Sequence, residues 1–178
     1  FRLIKKIKSI KPDIIHIHEL HAYFVNYGPL LRYIKRSKIK VIWTFHCEHM
    51  YTGKCASTYE CNKYQTQCLK CPQKKTYPKS WFFDFSRFMY KHKKKLFDNF
   101  SNLTLVTPSK WLSLRVKKSF LRHFPLEIIN NGIDNQTIFK PRDFSGLTIK
   151  HNLQDEKIIL SVAPKLMDTR KGGRRILK

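Results

Sequence analysis

Residues 39–46 read IKVIWTFH, a β-branched and aromatic run that stops at His46. A short apolar run of this composition predicts a buried strand, and a polar residue at its carboxyl end predicts emergence into a site. Three further runs share its character: residues 14–18 (IIHIH), 103–106 (LTLV) and 126–129 (LEII). Between them the apolar residues fall at helical spacing. Residues 1–10 place Leu3, Ile4, Ile7 and Ile10 on one side, and Pro29 suits the first turn of a helix with Leu30, Leu31 and Ile34 inward. Residues 84–100 read as a helix with Phe85, Phe88, Met89, Leu96 and Phe97 on its inner face and Lys91, Lys93, Lys94 and Lys95 outside. Ser109 is a natural N-cap for a helix reaching Arg122.

Strands that alternate with helices predict the α/β class: a Rossmann-like parallel sheet flanked by helices, here expected on both faces. In such sheets ligands sit beyond the carboxyl ends of the strands. That rule nominates His16, His18, Glu19, His46, Thr107, Ser109, Asn131 and Asp134. His46 stands out because an imidazole both donates and accepts, which suits gripping a sugar hydroxyl or a forming oxyanion. A Cys47–His46 nucleophilic pair is disfavoured, since neighbours on an extended chain point to opposite faces.

The loop after His46 is too long for a simple connection, and residues 47–78 form a cysteine-rich insert. Cys55, Cys61, Cys68 and Cys71 follow a C-x5-C-x6-C-x2-C spacing. Thiolates suit tetrahedral zinc, and the C-x-x-C pair lets two of them reach one ion. Free thiols in a packed loop, or a redox role, are the competing readings, and Cys47 falls outside the set. The domain plan is residues 1–140 with that insert, a polar linker 141–156, and a second domain opening at 157–178 with a strand at 157–163. In that second domain Arg170 and Lys171 form a basic, glycine-containing turn.

Composition bounds the partners. Thirty-six Lys and Arg against twelve Asp and Glu give a net charge of +24, which draws the chain to polyanions such as anionic lipid, phosphorylated substrates or nucleic acid, unless it is only a solvated lysine-rich surface. No apolar run is long enough to span a bilayer, and the lysine-rich start lacks the apolar stretch of an export signal. Five cysteines without such a signal fit reduced thiols in the cytoplasm. The expectation is a cytoplasmic protein held peripherally on the inner face of the cell membrane. Opening on Phe1 and stopping just past a fresh strand-like run, the chain is expected to be a fragment, inactive alone.

The ordered motifs PDIIHIH, WTFH, TGKC, CLKCP, YPKS, VTPSKWL and NGID followed by FKP resemble glycosyltransferase family 4, in its capsule, colanic-acid and exopolysaccharide branch. The resemblance implies a GT-B fold, with two Rossmann-like domains around a cleft. It implies retaining transfer of a sugar, of hexosyltransferase type, from a nucleotide-sugar donor to a glycan or polyprenyl-linked acceptor, with no cofactor required for catalysis. His46 matches the family's cleft-facing histidine, and Lys171, with Arg170 beside it, matches the contact to the donor diphosphate. His18, Glu19, Thr107, Ser109, Asn131 and Asp134 would line the acceptor side of the cleft. Cys47 and His49 depart from the family's usual Asp and Trp. The family's glycine-rich loop would precede Phe1, and its paired glutamates would follow Lys178. A zinc-stabilised basic module for nucleic acid is the alternative, but the Tyr and Phe residues are committed to helix faces, so no specific nucleic acid is expected. A degenerate, non-catalytic transferase scaffold is the other.

Overall fold

The computed structural model describes residues 2–20, 24–80, 82–153, 157, 158, 160 and 162. The chain divides into two compact units, Phe1–Gly132 and Ile133–Lys178. The first is built on four parallel strands in sequential order: β1 (Ile14–Ile17), β2 (Lys40–Thr44), β3 (Leu103–Thr107) and β4 (Leu126–Ile128). Helix α1 (Arg2–Ile10) leads into β1. The crossovers carry α2 (Tyr27–Ser37), α3 (Ser86–Phe97) and α4 (Lys110–Lys117). Parallel neighbours require such crossovers, so the alternation seen in the sequence fixes the architecture.

Local chemistry sets the element ends. Lys38, at φ 60, closes α2 in the left-handed conformation, and Lys11, at φ 52, follows α1 in the same way. The Ser109 hydroxyl accepts from the Leu112 N–H at 3.3 Å, which caps α4 as expected. That helix stops at Lys117, and Ser119 holds a further turn through its bond to the Val116 carbonyl at 2.7 Å.

Alternation and register put Ile15, Ile17, Val41, Trp43, Leu103, Leu105 and Leu126 on one face of the sheet. All seven belong to, or pack against, a single core with Leu30, Leu31 and Ile34 of α2, Leu96 and Phe97 of α3, and Leu112 and Val116 of α4. Trp43 stacks on Phe97 with centroids 5.5 Å apart and takes the Phe45 ring edge-on at 5.3 Å. Such pairs add about 1 kcal/mol each beyond simple burial. The opposite face carries Ile14, His16, Ile42, Thr44, Thr104, Val106 and Glu127, none of which joins this core. Among the described residues the sheet is flanked by helices, but its packed core lies on one face rather than both.

Helix α3 departs from its expected orientation. Phe85, at its N-cap, and Phe88 are exposed, whereas Lys93 is completely buried. Its ammonium donates to the carbonyl oxygens of His49 (2.6 Å) and Thr52 (3.0 Å). The insert, not solvent, covers that side of the helix, so a lysine reaches into its backbone where a periodicity argument placed water.

In the second unit the residues expected to form a plain linker include a short helix, α5 (Ser145–Lys150). Asp134 begins a turn in which its Oδ1 accepts from the N–H groups of Gln136 (3.1 Å) and Thr137 (2.8 Å). Of the strand expected at 157–163, the described residues 157, 158, 160 and 162 carry no strand assignment, and the rest lie outside the described residues.

Candidate functional site

Parallel pairing brings the carboxyl ends of β1 and β2 side by side, because Ile17 sits opposite Trp43 in register. The residues that follow each strand therefore meet. His18 Nδ1 and His46 Nε2 lie 2.9 Å apart, with their rings stacked at a centroid distance of 5.2 Å. His16 lies beside His18, ring centroids 4.4 Å apart, and its Nε2 meets the Thr44 hydroxyl at 2.9 Å. The Trp43 indole N–H donates to the His18 carbonyl at 2.9 Å, so a core residue anchors the turn that presents His18.

Glu19 spans the next turn. Its Oε1 accepts from the His46 backbone N–H at 2.6 Å, and its Oε2 accepts from the Cys47 thiol at 3.2 Å. Burial first, then the Glu19 charge, pushes the Cys47 thiol up to about 12. A thiol held protonated is a poor nucleophile, and the geometry assigns Cys47 to fixing the turn instead. His16 is held below its ordinary value by desolvation first and then by the neighbouring His18 and His46.

One proton serves the His18–His46 contact, so the two rings are linked. If His18 Nδ1 donates, His46 Nε2 accepts and its Nδ1 carries a proton to offer. If His46 Nε2 donates, its Nδ1 presents a lone pair. Both rings are exposed, and His46 Nδ1 meets no protein partner among the described residues. The pair thus offers either a hydrogen-bond donor or an acceptor to a polar ligand beyond the strand ends.

Residues 1–137 match the family model for Glycosyltransferase Family 4. The chain belongs to that family. Over 137 residues it is 31% identical to the colanic acid biosynthesis glycosyl transferase WcaC of Escherichia coli (strain K12), covering 73% of this chain and 33% of that relative. The chain therefore spans about a third of the length of the curated relative it matches. No solved structure matches it.

In this family 4 chain, His16, His18, Glu19 and His46 are the nominated residues that the fold gathers at one place. Thr107 ends the adjacent strand β3 and Ser109 caps α4; Thr107 is fully buried and donates to the Ser109 carbonyl at 3.4 Å. Their observed work is to build the strand-to-helix turn. Asn131 is exposed, and Asp134 belongs to the second unit, where hydrogen bonds from Thr137 hold its carboxyl below the usual range. Arg170 and Lys171 lie outside the described residues. Thr44 was not singled out from the sequence; it completes the site because it ends β2 one residue before the apolar run does.

The insert packs beside this cluster. His49 Nδ1 meets the Lys54 carbonyl at 3.1 Å, and the His49 N–H donates to Cys47 Sγ at 3.4 Å, so the insert braces the turn that follows His46. Cys55, Cys61, Cys68 and Cys71 are all unpaired by disulfides and line one small cavity. Among the described residues, these four cysteines included, no three His, Cys, Asp or Glu side chains are placed to hold a metal ion. Burial raises the Cys55 and Cys68 thiols, to about 12 and about 11, and lowers the Lys93 ammonium to about 7.

Proposed function

We propose that the protein carrying this chain is a retaining, hexosyltransferase-type glycosyltransferase. It would move a sugar from a nucleotide-sugar donor to a glycan or polyprenyl-linked acceptor in cell-surface polysaccharide synthesis. The observation that carries this reading is the His18–His46 pair at the carboxyl ends of β1 and β2, in a chain of family 4. His46 Nδ1 is the atom that meets the substrate, with the His18 contact selecting its tautomer and Glu19 fixing the backbone on which it rides. A preformed donor of this kind favours the transition state because it is already oriented when charge develops. Arg170 and Lys171 would bind the donor diphosphate, and Thr107, Ser109, Asn131 and Asp134 would contribute to the cleft. The test is His46→Ala in the full-length enzyme, assayed for sugar transfer to a lipid-linked acceptor. kcat should fall by about 100-fold with a smaller change in KM; unchanged turnover removes His46 from the mechanism.

A membrane-associated acceptor has its own support. Phe82, Phe83, Phe85 and Phe88 are all more than half exposed, and Lys91, Lys94 and Lys95 lie exposed further along the same helix. Aromatic side chains beside a basic stripe suit the interface of an anionic bilayer. Among the described residues no helix is long and apolar enough to cross a membrane. The enzyme would then work as a peripheral protein on the cytoplasmic face, where nucleotide sugars and polyprenyl-linked acceptors meet.

A further inference from the structure

The insert contains an electrostatic imbalance. Lys93 is completely buried and Lys54 nearly so, yet their ammonium groups are held only by carbonyl oxygens: those of His49 and Thr52 for Lys93, and of Gln73, Lys74 and Thr76 for Lys54. Among the described residues neither meets a carboxylate. What lies near both is sulfur. Cys55, Cys61, Cys68 and Cys71 border a single cavity of about 20 Å3, large enough for one small ion or a water. Cys55 is buried, Cys61, Cys68 and Cys71 are partly buried, and all four are free thiols.

The backbone around these thiols is shaped to hold them. Gly53 is required, because a Cβ there would strike the Ser86 carbonyl and Cys68 Cβ. Lys70, between Cys68 and Cys71, takes the left-handed conformation at φ 44, and Lys63 Nζ donates to the carbonyls of Leu69 (3.1 Å) and Lys70 (3.0 Å). That tight C-x-x-C turn is tied to the start of α3 through the Cys71 N–H, which donates to Asp84 Oδ2 at 2.6 Å. Buried lysines and tied turns around thiols form the kind of outer shell that a thiolate metal centre uses.

We propose that Cys55, Cys61, Cys68 and Cys71 bind one zinc ion that organises the insert beside the His46 turn. Binding releases the four thiol protons to solvent and forms four Zn–S bonds of about 2.3 Å, drawing the sulfurs inward from their present spacing. The resulting centre carries two negative charges, which Lys54 and Lys93 offset. The zinc is structural, since four protein ligands leave no open position for a substrate.

The test uses full-length protein purified with reductant and no added metal. Elemental analysis should find about one zinc per chain, and replacement by Co2+ should give the thiolate charge-transfer and visible bands of a tetrahedral sulfur site. Cys68→Ser and Cys71→Ser should retain less than about a fifth of the zinc, whereas Cys47→Ser should retain it all. Cys68→His, which can still ligate, should keep zinc with an altered cobalt spectrum, so loss of metal is separated from loss of folding. A folded wild-type protein that takes up neither zinc nor cobalt overturns the proposal. So do thiol titration showing these cysteines joined in disulfides in the freshly purified protein, and metal content that depends on His46 or Cys47 but not on Cys68. None of these outcomes depends on the sugar-transfer reading.

Discussion

Glu48, which is buried, and the partly exposed Arg115, separated by 67 residues, meet as an ion pair, with Arg115 Nε 2.5 Å from Glu48 Oε1. Glu48 also accepts from the Tyr51 hydroxyl at 3.1 Å and from the Thr58 N–H at 2.6 Å. The Arg115 guanidinium lies over both Tyr64 and Trp111, about 5 Å from each ring centroid. The pair fastens the insert to α4, two parts of the chain that the sheet alone would leave independent.

Removing one partner strands the other. Arg115→Leu should destabilise the protein by about 3 kcal/mol, because Glu48 is then buried without a counter-charge. Glu48→Gln combined with Arg115→Leu should cost less than Arg115→Leu alone. Urea titrations of the two single variants and the double variant measure this, and strict additivity would show that the pair is not coupled.

The Glu19 carboxylate should add to burial in suppressing the reactivity of Cys47. In the wild type, burial and Glu19 raise the thiol to about 12, so its alkylation at pH 8 should be about 1000-fold slower than that of an ordinary cysteine. Glu19→Gln removes the charge, and alkylation of Cys47 should then quicken. Sugar transfer should fall by about tenfold in the same variant, as the His46 turn loosens. Mass spectrometry of the labelled peptide follows the first effect and steady-state kinetics the second.

Acid should loosen the histidine cluster. His16 faces His18 and His46, with Glu19 on the neighbouring turn, and its folded value lies below its unfolded value of about 6.5. The unfolded state therefore takes up the proton first as pH falls. Stability from this group is present above about pH 6.5 and declines below it. Tm followed from pH 8 to pH 5 should drop more steeply for the wild type than for His16→Asn. Parallel curves would show that His16 does not contribute.

The exposed aromatic patch should set membrane affinity. Replacing Phe82, Phe83 and Phe88 together by Ser should weaken binding to anionic vesicles by about 100-fold or more, and raised salt should weaken the wild type further. Co-sedimentation with vesicles of phosphatidylglycerol and phosphatidylethanolamine reads both effects. Binding unaffected by the substitutions assigns the patch to a protein contact instead.

Much of this was legible beforehand. The strand at Lys40–Thr44, the cap at Ser109 and the alternation of strand with helix are local signals, carried by residues a few positions apart. His18, Glu19 and His46 were nominated by the rule that ligands gather past the carboxyl ends of parallel strands. Lys93 was misplaced because helical periodicity separates two sides of a helix without saying what covers each of them. Phe85 and Phe88 were misplaced for the same reason. The one-sided core was likewise invisible, since a β-branched strand reads the same whether one face or both are packed.

By itself, then, the sequence determined the strands and main helices of the first unit, their order, the parallel sheet and the identity of the residues at its strand ends, all of which follow from short-range periodicity and turn chemistry. Only the tertiary structure decided which partners those residues take. The His18–His46 contact, the Glu19 clamp on His46 and Cys47, the hold of the His49 and Thr52 carbonyls on Lys93 and the Glu48–Arg115 pair each join residues 27 to 67 positions apart. Such partnerships depend on strand register and on how the insert lies against α3 and α4. No local pattern carries that information.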